Sequence, residues 1–213
     1  RPQAVIFDWD NTLVDTWPAI HEALTDTFRE YGLVPWTFEE TRQRVRKSMR
    51  ESFPSLFGDR WEEAGAFFMR TIAETHLERL TPMPGAGEML DELAAAGIYL
   101  GVVSNKNGDL LRAEAAHLGW AGFFGRVVGA FDAERDKPAA EPVYMALGES
   151  GVGCGPEVWF AGDTDIDMEC ATQAGCLPVL VRTDPPRNGE FDECQPALYF
   201  KNCLALSNLI RRL

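Results

Sequence analysis

The chain has 213 residues, 46% hydrophobic and 25% charged, enough for one sizeable core or a core domain with a small appendage. Its formal net charge of −13 argues against nucleic acid and anionic membrane surfaces as partners, because both call for a basic face. No apolar run approaches the ~20 residues that cross a bilayer, and the cysteines, scattered and without a CxxC pair, read as reduced thiols of a cytoplasmic protein.

The sequence opens at once on a strand-type run, Val5-Ile6-Phe7, with no signal peptide in view. Residues 18–31 place Ile20, Leu24, Phe28 and Tyr31 at helical spacing. Residues 38–49 and 60–80 are also expected to be helical, separated by a breaker-rich stretch at 52–58. A Pro-rich hinge covers 81–85. Then strand and helix alternate: helix 86–96 closed by Gly97, strand 98–103, helix 109–118 ending on Gly119, strand 126–128, helix 139–149, strand 158–161, helix 166–174 ending on Gly175, and strand 177–181. Residues 198–200 read as a short edge strand and 203–213 as a closing helix. Such alternation predicts a Rossmann-like parallel sheet flanked by helices, with ligands bound outside the C-terminal strand ends. Residues 15–80 interrupt it as an inserted all-helical cap, so the expected division is a core of 1–14 and 81–213 and a cap of 15–80.

Chemistry-bearing residues fall at four strand ends. In Asp8-Trp9-Asp10-Asn11-Thr12, two carboxylates follow a fully apolar strand. Phosphate esters repel anionic nucleophiles, and a metal ion that binds both partners removes that repulsion. Asp8 is the candidate nucleophile and metal ligand, and Asp10 the candidate general acid and base. In Val103-Ser104-Asn105-Lys106, the Ser104 hydroxyl and the Asn105 backbone N–H can hold a phosphoryl oxygen, although a helix N-cap uses the same residue types. In Asp136-Lys137-Pro138, Lys137 can neutralise nucleophile and phosphate together, and Pro138 is expected to open the next helix. In Gly162-Asp163-Thr164-Asp165-Ile166-Asp167, three acids within five residues call for a compensating cation. Asp163 is the best metal ligand after Asp8. Asp167 is either a further ligand or the group that orients Lys137, and Asp165 reads as a helix N-terminal acid.

With these four motifs in this order, the sequence resembles the haloacid dehalogenase superfamily, and within it the magnesium-dependent phosphatases of the phosphoglycolate phosphatase-like group. The resemblance runs from the first strand to the fourth motif. It implies hydrolysis of a small phosphorylated metabolite through a phospho-aspartyl intermediate on Asp8. Asp10 would then be general acid and base, Ser104 and Lys137 would bind phosphate, and Mg²⁺ would sit on Asp8, the Asp10 backbone carbonyl and Asp163. Asn11 stands where the family often has Gly, and Ser104 where Thr is more usual. Asn tolerates the left-handed conformation, and Ser keeps the hydroxyl.

The cap adds Arg42, Arg44, Arg46, Lys47 and Arg50 in a stretch without acids. Arg42, Arg46 and Arg50 are four apart and would share one face of a continuous helix. Lys47 and Arg50 are the candidate contacts to an anionic leaving group, whereas Glu39 and Glu40 are placed to pair with Gln43 and Arg44. Trp9 and Trp17 flank the expected site, Trp17 as a lid element or as simple packing. The same motifs would serve a sugar phosphomutase or, with Lys47 as Schiff base, a phosphonatase. A regulatory module that kept the fold without turnover is the remaining alternative.

Overall fold

The computed structural model describes residues 1–45, 47–148 and 150–213. Arg46, and position 149 where a helix end is expected, lie outside the described residues. In chain order, β1 (Ala4–Phe7) is followed by the short β2 (Val14–Asp15), helices α1 (Trp17–Glu30), α2 (Phe38–Arg44), α3 (Met49–Phe57) and α4 (Trp61–Thr75), and the short β3 (Thr81–Pro82). Then come α5 (Ala86–Ala95), β4 (Tyr99–Asn107), α6 (Gly108–His117), β5 (Arg126–Ala130), α7 (Glu141–Leu147), β6 (Val158–Gly162), α8 (Asp165–Gln173), β7 (Leu177–Val181), β8 (Leu198–Phe200) and α9 (Cys203–Ile210).

Six strands form one parallel sheet in the order β5-β4-β1-β6-β7-β8. All four residues of β1 are buried, because both faces of the sheet are covered. Val5 and Phe7 pack with Leu90 and Leu93 of α5, Leu111 of α6 and Leu206 of α9. Ala4 and Ile6 point the other way, into a second core with Val143 and Leu147 of α7 and Ala171 of α8. The chain fills β4 and β5 on one side of β1, then crosses to β6 on the other. That reversal opens a crevice at the C-terminal ends of β1, β4 and β6, the place where such sheets bind ligands.

Helices α1 to α4 bury their own apolar cluster, including Ile20, Leu24, Phe53, Ala64 and Ile72. Phe28 sits edge-on to Trp36 and stacks on Phe57 within it. The two linkers to this cap run side by side, because β2 and β3 pair antiparallel, Val14 with Pro82 and Asp15 with Thr81.

Several expected boundaries change. Residues 38–49 are not one helix: α2 stops at Arg44, Val45 is extended, and α3 begins at Met49. Residues 52–57, expected to be a breaker, are helical with Pro54 inside. Pro54 gives up one helix hydrogen bond, and burial of Phe53 in the cap core offsets that loss. The shared face drawn through Arg42 and Arg50 therefore does not exist. The helix expected over 60–80 ends at Thr75. Strand β4 runs on to Asn107, with its register to β5 shifted between Val103 and Asn107. Pro138 does not open α7, which begins three residues later at Glu141. Among the described residues, no helix is long and apolar enough to cross a membrane.

Candidate active site

Asp8 follows β1 directly, and its backbone N–H donates to the Ala161 carbonyl of β6 at 2.8 Å, which fixes it at the crevice. Lys137 reaches in from the loop after β5. Its Nζ donates to Asp8 Oδ1 at 2.6 Å and to Asp167 Oδ1 at 2.7 Å, with all three side chains buried. The second oxygen of Asp167 accepts the backbone N–H groups of Asp163 and Thr164, at 3.1 and 3.0 Å, and the Thr164 hydroxyl at 2.8 Å. One carboxylate thus both orients the lysine and shapes the start of α8. Of the two sequence readings of Asp167, lysine orientation is the one that shows as direct hydrogen bonding.

Gly162 makes this possible. A Cβ there would run into the Asp167 carboxylate and its own Cβ. Gly162→Ala is therefore expected to displace Asp167, loosen Lys137 and lower activity by one to two orders of magnitude, roughly the effect of a 1 Å misplacement in an active site. Phosphate-release kinetics would check this; an unchanged rate would show that Asp167 does not need its present position.

Oxygen atoms of Asp8, Asp163 and Asp167 lie within 4.8 Å of one another. The Asp163 Oδ1 is also 3.5 Å from the Thr12 hydroxyl, and Arg182 donates to the Asp163 carbonyl at 3.1 Å. Burial pushes the Asp8 carboxyl up to about 7; Lys137 opposes the shift, while the charges of Asp167 and Asp10 add to it. Asp163 is raised for the same first reason, reinforced by Asp167 and Asp8. Burial alone would lower the Lys137 ammonium, but the charges of Asp167 and Asp8 outweigh it and raise the group overall. Close, buried carboxylates with a single lysine between them form a locus that favours further positive charge.

Ser104 is buried on β4, and its Oγ accepts the Lys106 backbone N–H at 3.2 Å. The Asn105 side chain faces the Lys137 loop: it donates to the Lys137 carbonyl at 3.1 Å and accepts the Lys137 N–H at 3.0 Å. That amide is committed to holding the loop, so any phosphate contact from Asn105 falls to its backbone N–H. Asn11 adopts φ 65°, the left-handed conformation that Asn tolerates.

A pocket runs from these residues up into the cap. Asp8, Asp10, Ser104, Lys137, Asp163 and Asp167 line its floor, and Trp17, Trp36, Phe53 and Phe68 line its upper walls. Lys47 and Arg44 also border it. Arg44 pairs with Glu40 at 3.1 Å, and Gln43 donates to Glu39 at 2.9 Å, as the charge spacing suggests.

Three placements depart from expectation. Arg50 does not line this pocket: its Nε donates to Asp136 Oδ2 at 2.5 Å and its guanidinium lies over the Phe131 ring, so it docks the cap on the core. Arg50 belongs to α3, a helix separate from the α2 that carries Arg42 and Arg44. Trp9 does not flank the site but is fully buried in the sheet core, edge-on to Trp120. The Asp10 carboxylate stands apart from the Asp8, Asp163 and Asp167 cluster, because its Oδ1 accepts from Lys106 Nζ at 2.7 Å. The Asp10 side chain is therefore not part of the carboxylate cluster that could hold a metal ion.

Glu114, His76 and Arg182 carry no sequence expectation, and Asp136, present in the third motif, has none for its pairing with Arg50. Glu114 is a wholly buried carboxylate on α6 with Trp9, His76 and Lys106 as partners. An acid facing the apolar side of its helix, beside Leu111 and Ala115, was the available signal.

A family model described as "Haloacid dehalogenase-like hydrolase" matches residues 5–181. A phosphoglycolate phosphatase of Rhodobacter capsulatus is 30% identical over 97% of this chain and 96% of its own length. A pyrophosphatase, PpaX, of Bacillus velezensis is 31% identical over 82% of this chain and 81% of its own. Among solved structures, a haloacid dehalogenase superfamily hydrolase from Ehrlichia chaffeensis is 32% identical and aligns with a TM-score of 0.68 over 100% of this chain and 98% of that one. A haloacid dehalogenase-like hydrolase from Streptococcus pneumoniae shares the fold at a TM-score of 0.85 and 22% identity, covering 98% of each chain.

Proposed function

Since the chain belongs to the haloacid dehalogenase-like hydrolase family, we propose that it hydrolyses a small phosphorylated metabolite, with Asp8 as nucleophile and Asp10 as general acid and base. The observation that carries this reading is the buried Lys137 between Asp8 and Asp167, at a crevice that also holds Ser104 and Asp163.

The phosphoryl group enters beside Lys137 and Ser104, whose ammonium and hydroxyl bind its oxygens. An Asp8 oxygen attacks phosphorus in line with the leaving oxygen. Asp10 gives that oxygen a proton as the P–O bond breaks, leaving an acyl phosphate on Asp8 and a free alcohol. Asp10, now ionised, takes a proton from a water that attacks the same phosphorus, releasing inorganic phosphate and restoring Asp8. The Asp8, Asp163 and Asp167 oxygens fit a hard divalent cation such as Mg²⁺, and the family resemblance adds the Asp10 carbonyl as a further donor. When bound, that ion supplies charge neutralisation between nucleophile and phosphate. Lys47, at the cap border of the pocket, is placed to meet the anionic end of a leaving group.

The relatives' names make phosphoglycolate and pyrophosphate the first compounds to try. A panel containing both, with sugar phosphates added, is expected to show Mg²⁺-dependent phosphate release that EDTA stops reversibly. Silence across the panel would overturn the reading.

The raised Asp8 carboxyl also sets a pH dependence. Asp8 keeps its proton up to about pH 7 in the metal-free fold, against a usual value of 3.8. Its contribution to stability is therefore full at low pH and lost as pH rises toward and through 7. A cation needs the ionised carboxylates, so Mg²⁺ should raise Tm by several degrees at about pH 8 and by less at about pH 5.5. Thermal melts with and without Mg²⁺ would check the sign; a larger gain at the lower pH would contradict it.

A further inference from the structure

Asp10 has one carboxylate and two proton transfers to perform, so the direction of that carboxylate matters as much as its presence. Its Oδ1 accepts from Lys106 Nζ at 2.7 Å, which leaves Oδ2 for the leaving oxygen and then for water. Lys106 is itself buried and pairs with Glu114 Oε1 at 3.1 Å. Glu114 is held by two further donors: Trp9 Nε1 at 2.7 Å on Oε2, and His76 Nδ1 at 2.8 Å on Oε1. Trp9 belongs to the turn that carries Asp10, and His76 caps α4 at the start of the return linker from the cap.

We propose that Lys106 and Glu114 are positioning residues for the reaction, a buried pair that aims Asp10 and ties its direction to the linker through His76. Two observations favour positioning over simple support. Buried ion pairs add little net stability over apolar side chains of similar size, so stability is a weak reason for a lysine and a glutamate here. Glu114 also compensates the lysine charge, so Lys106 can hold Asp10 by a hydrogen bond without placing an unbalanced cation beside a group that must accept and release a proton.

This inference rests on Asp10 being the general acid, and the test separates the two. The parameter kcat/KM reports the step that expels the alcohol. It would be measured with Mg²⁺ for an alkyl phosphate, whose leaving oxygen needs a proton, and for 4-nitrophenyl phosphate, whose leaving oxygen does not. Lys106→Met is expected to lower the alkyl value about 10- to 100-fold more than the aryl value, a part of the usual general-acid contribution. Glu114→Gln, which keeps the shape and the Trp9 contact, should shift the ratio in the same direction by less, and carries the test if Lys106→Met does not fold. Asp10→Asn sets the full size of the split. Equal losses on both esters in the Lys106 and Glu114 variants, or no loss, would overturn the positioning role. Absence of a split in Asp10→Asn would instead overturn the reading of Asp10 and the inference with it.

Discussion

Replacing Asp8 with Asn is expected to lower phosphate release by at least about 10⁴-fold on every active substrate, the scale seen when a nucleophile is removed from an interdependent site. The amide is nearly isosteric, so Lys137 can still donate to the remaining side-chain oxygen and the fold should persist. What disappears is the anion. An amide oxygen is a poor nucleophile and cannot form an acyl phosphate that water then resolves. The stability change has a defined sign as well. Asp8 sits where burial and neighbouring carboxylates disfavour its charge, so Asp8→Asn should melt at or above the wild-type temperature in the absence of metal at about pH 8. Circular dichroism melts beside the activity assay would check both. A variant that turns over at near wild-type rate removes Asp8 from the chemistry.

Lys137→Met is expected to combine the second largest activity loss with the largest loss of stability. The ammonium is buried between Asp8 and Asp167, at 2.6 and 2.7 Å. Removing one partner of a buried ion pair leaves charge without compensation and costs about 3–5 kcal/mol. For a chain of this size that corresponds to a Tm drop on the order of 10 °C. The drop should shrink at about pH 5.5, where the carboxylates can take up protons, and in saturating Mg²⁺, where the ion replaces the missing charge. A pH-independent drop would mean that packing of the lysine stem, not its charge, is what the site loses.

The parts of this molecule legible in the sequence share one property: local patterning is enough to specify them. The apolar runs ending on Asp8 and before Gly162-Asp163 each announce a strand end, whereas the run before Ser104 marks only the point where β4 loses its regular register to β5 and continues to Asn107. A parallel sheet with its switch point at β1 brings such ends together. The order of motifs then located Asp8, Lys137, Asp163 and Asp167 in one crevice without any knowledge of distances.

What stayed hidden depended on tertiary context. The helix break at Val45 is hard to see because the Arg, Lys, Gln and Met residues between Thr41 and Arg50 favour helix, and Val45 and Ser48 oppose it by only a few tenths of a kcal/mol each. Pro54 reads as a breaker because propensity cannot know that Phe53 is buried in the cap core. The neighbours of Trp9 in sequence point it to the cleft. The turn at residues 9–14 instead directs it into the sheet core, where its indole N–H meets Glu114. Glu114 lies 105 positions from Trp9 and 38 from His76, so no sequence window contains the group that they form.

The most direct measurement is chemical trapping of Asp8. The enzyme would be mixed with Mg²⁺ and its best phosphate ester, quenched within one turnover, reduced with borohydride and digested for mass spectrometry. An acyl phosphate on Asp8 is reduced to homoserine, so the expected result is homoserine at position 8 in wild type and none in the absence of substrate. Steady phosphate release with Asp8 unmodified in the quenched enzyme, or homoserine formed at Asp10 or Asp163 in its place, would show that the strand β1 carboxylate is not the nucleophile.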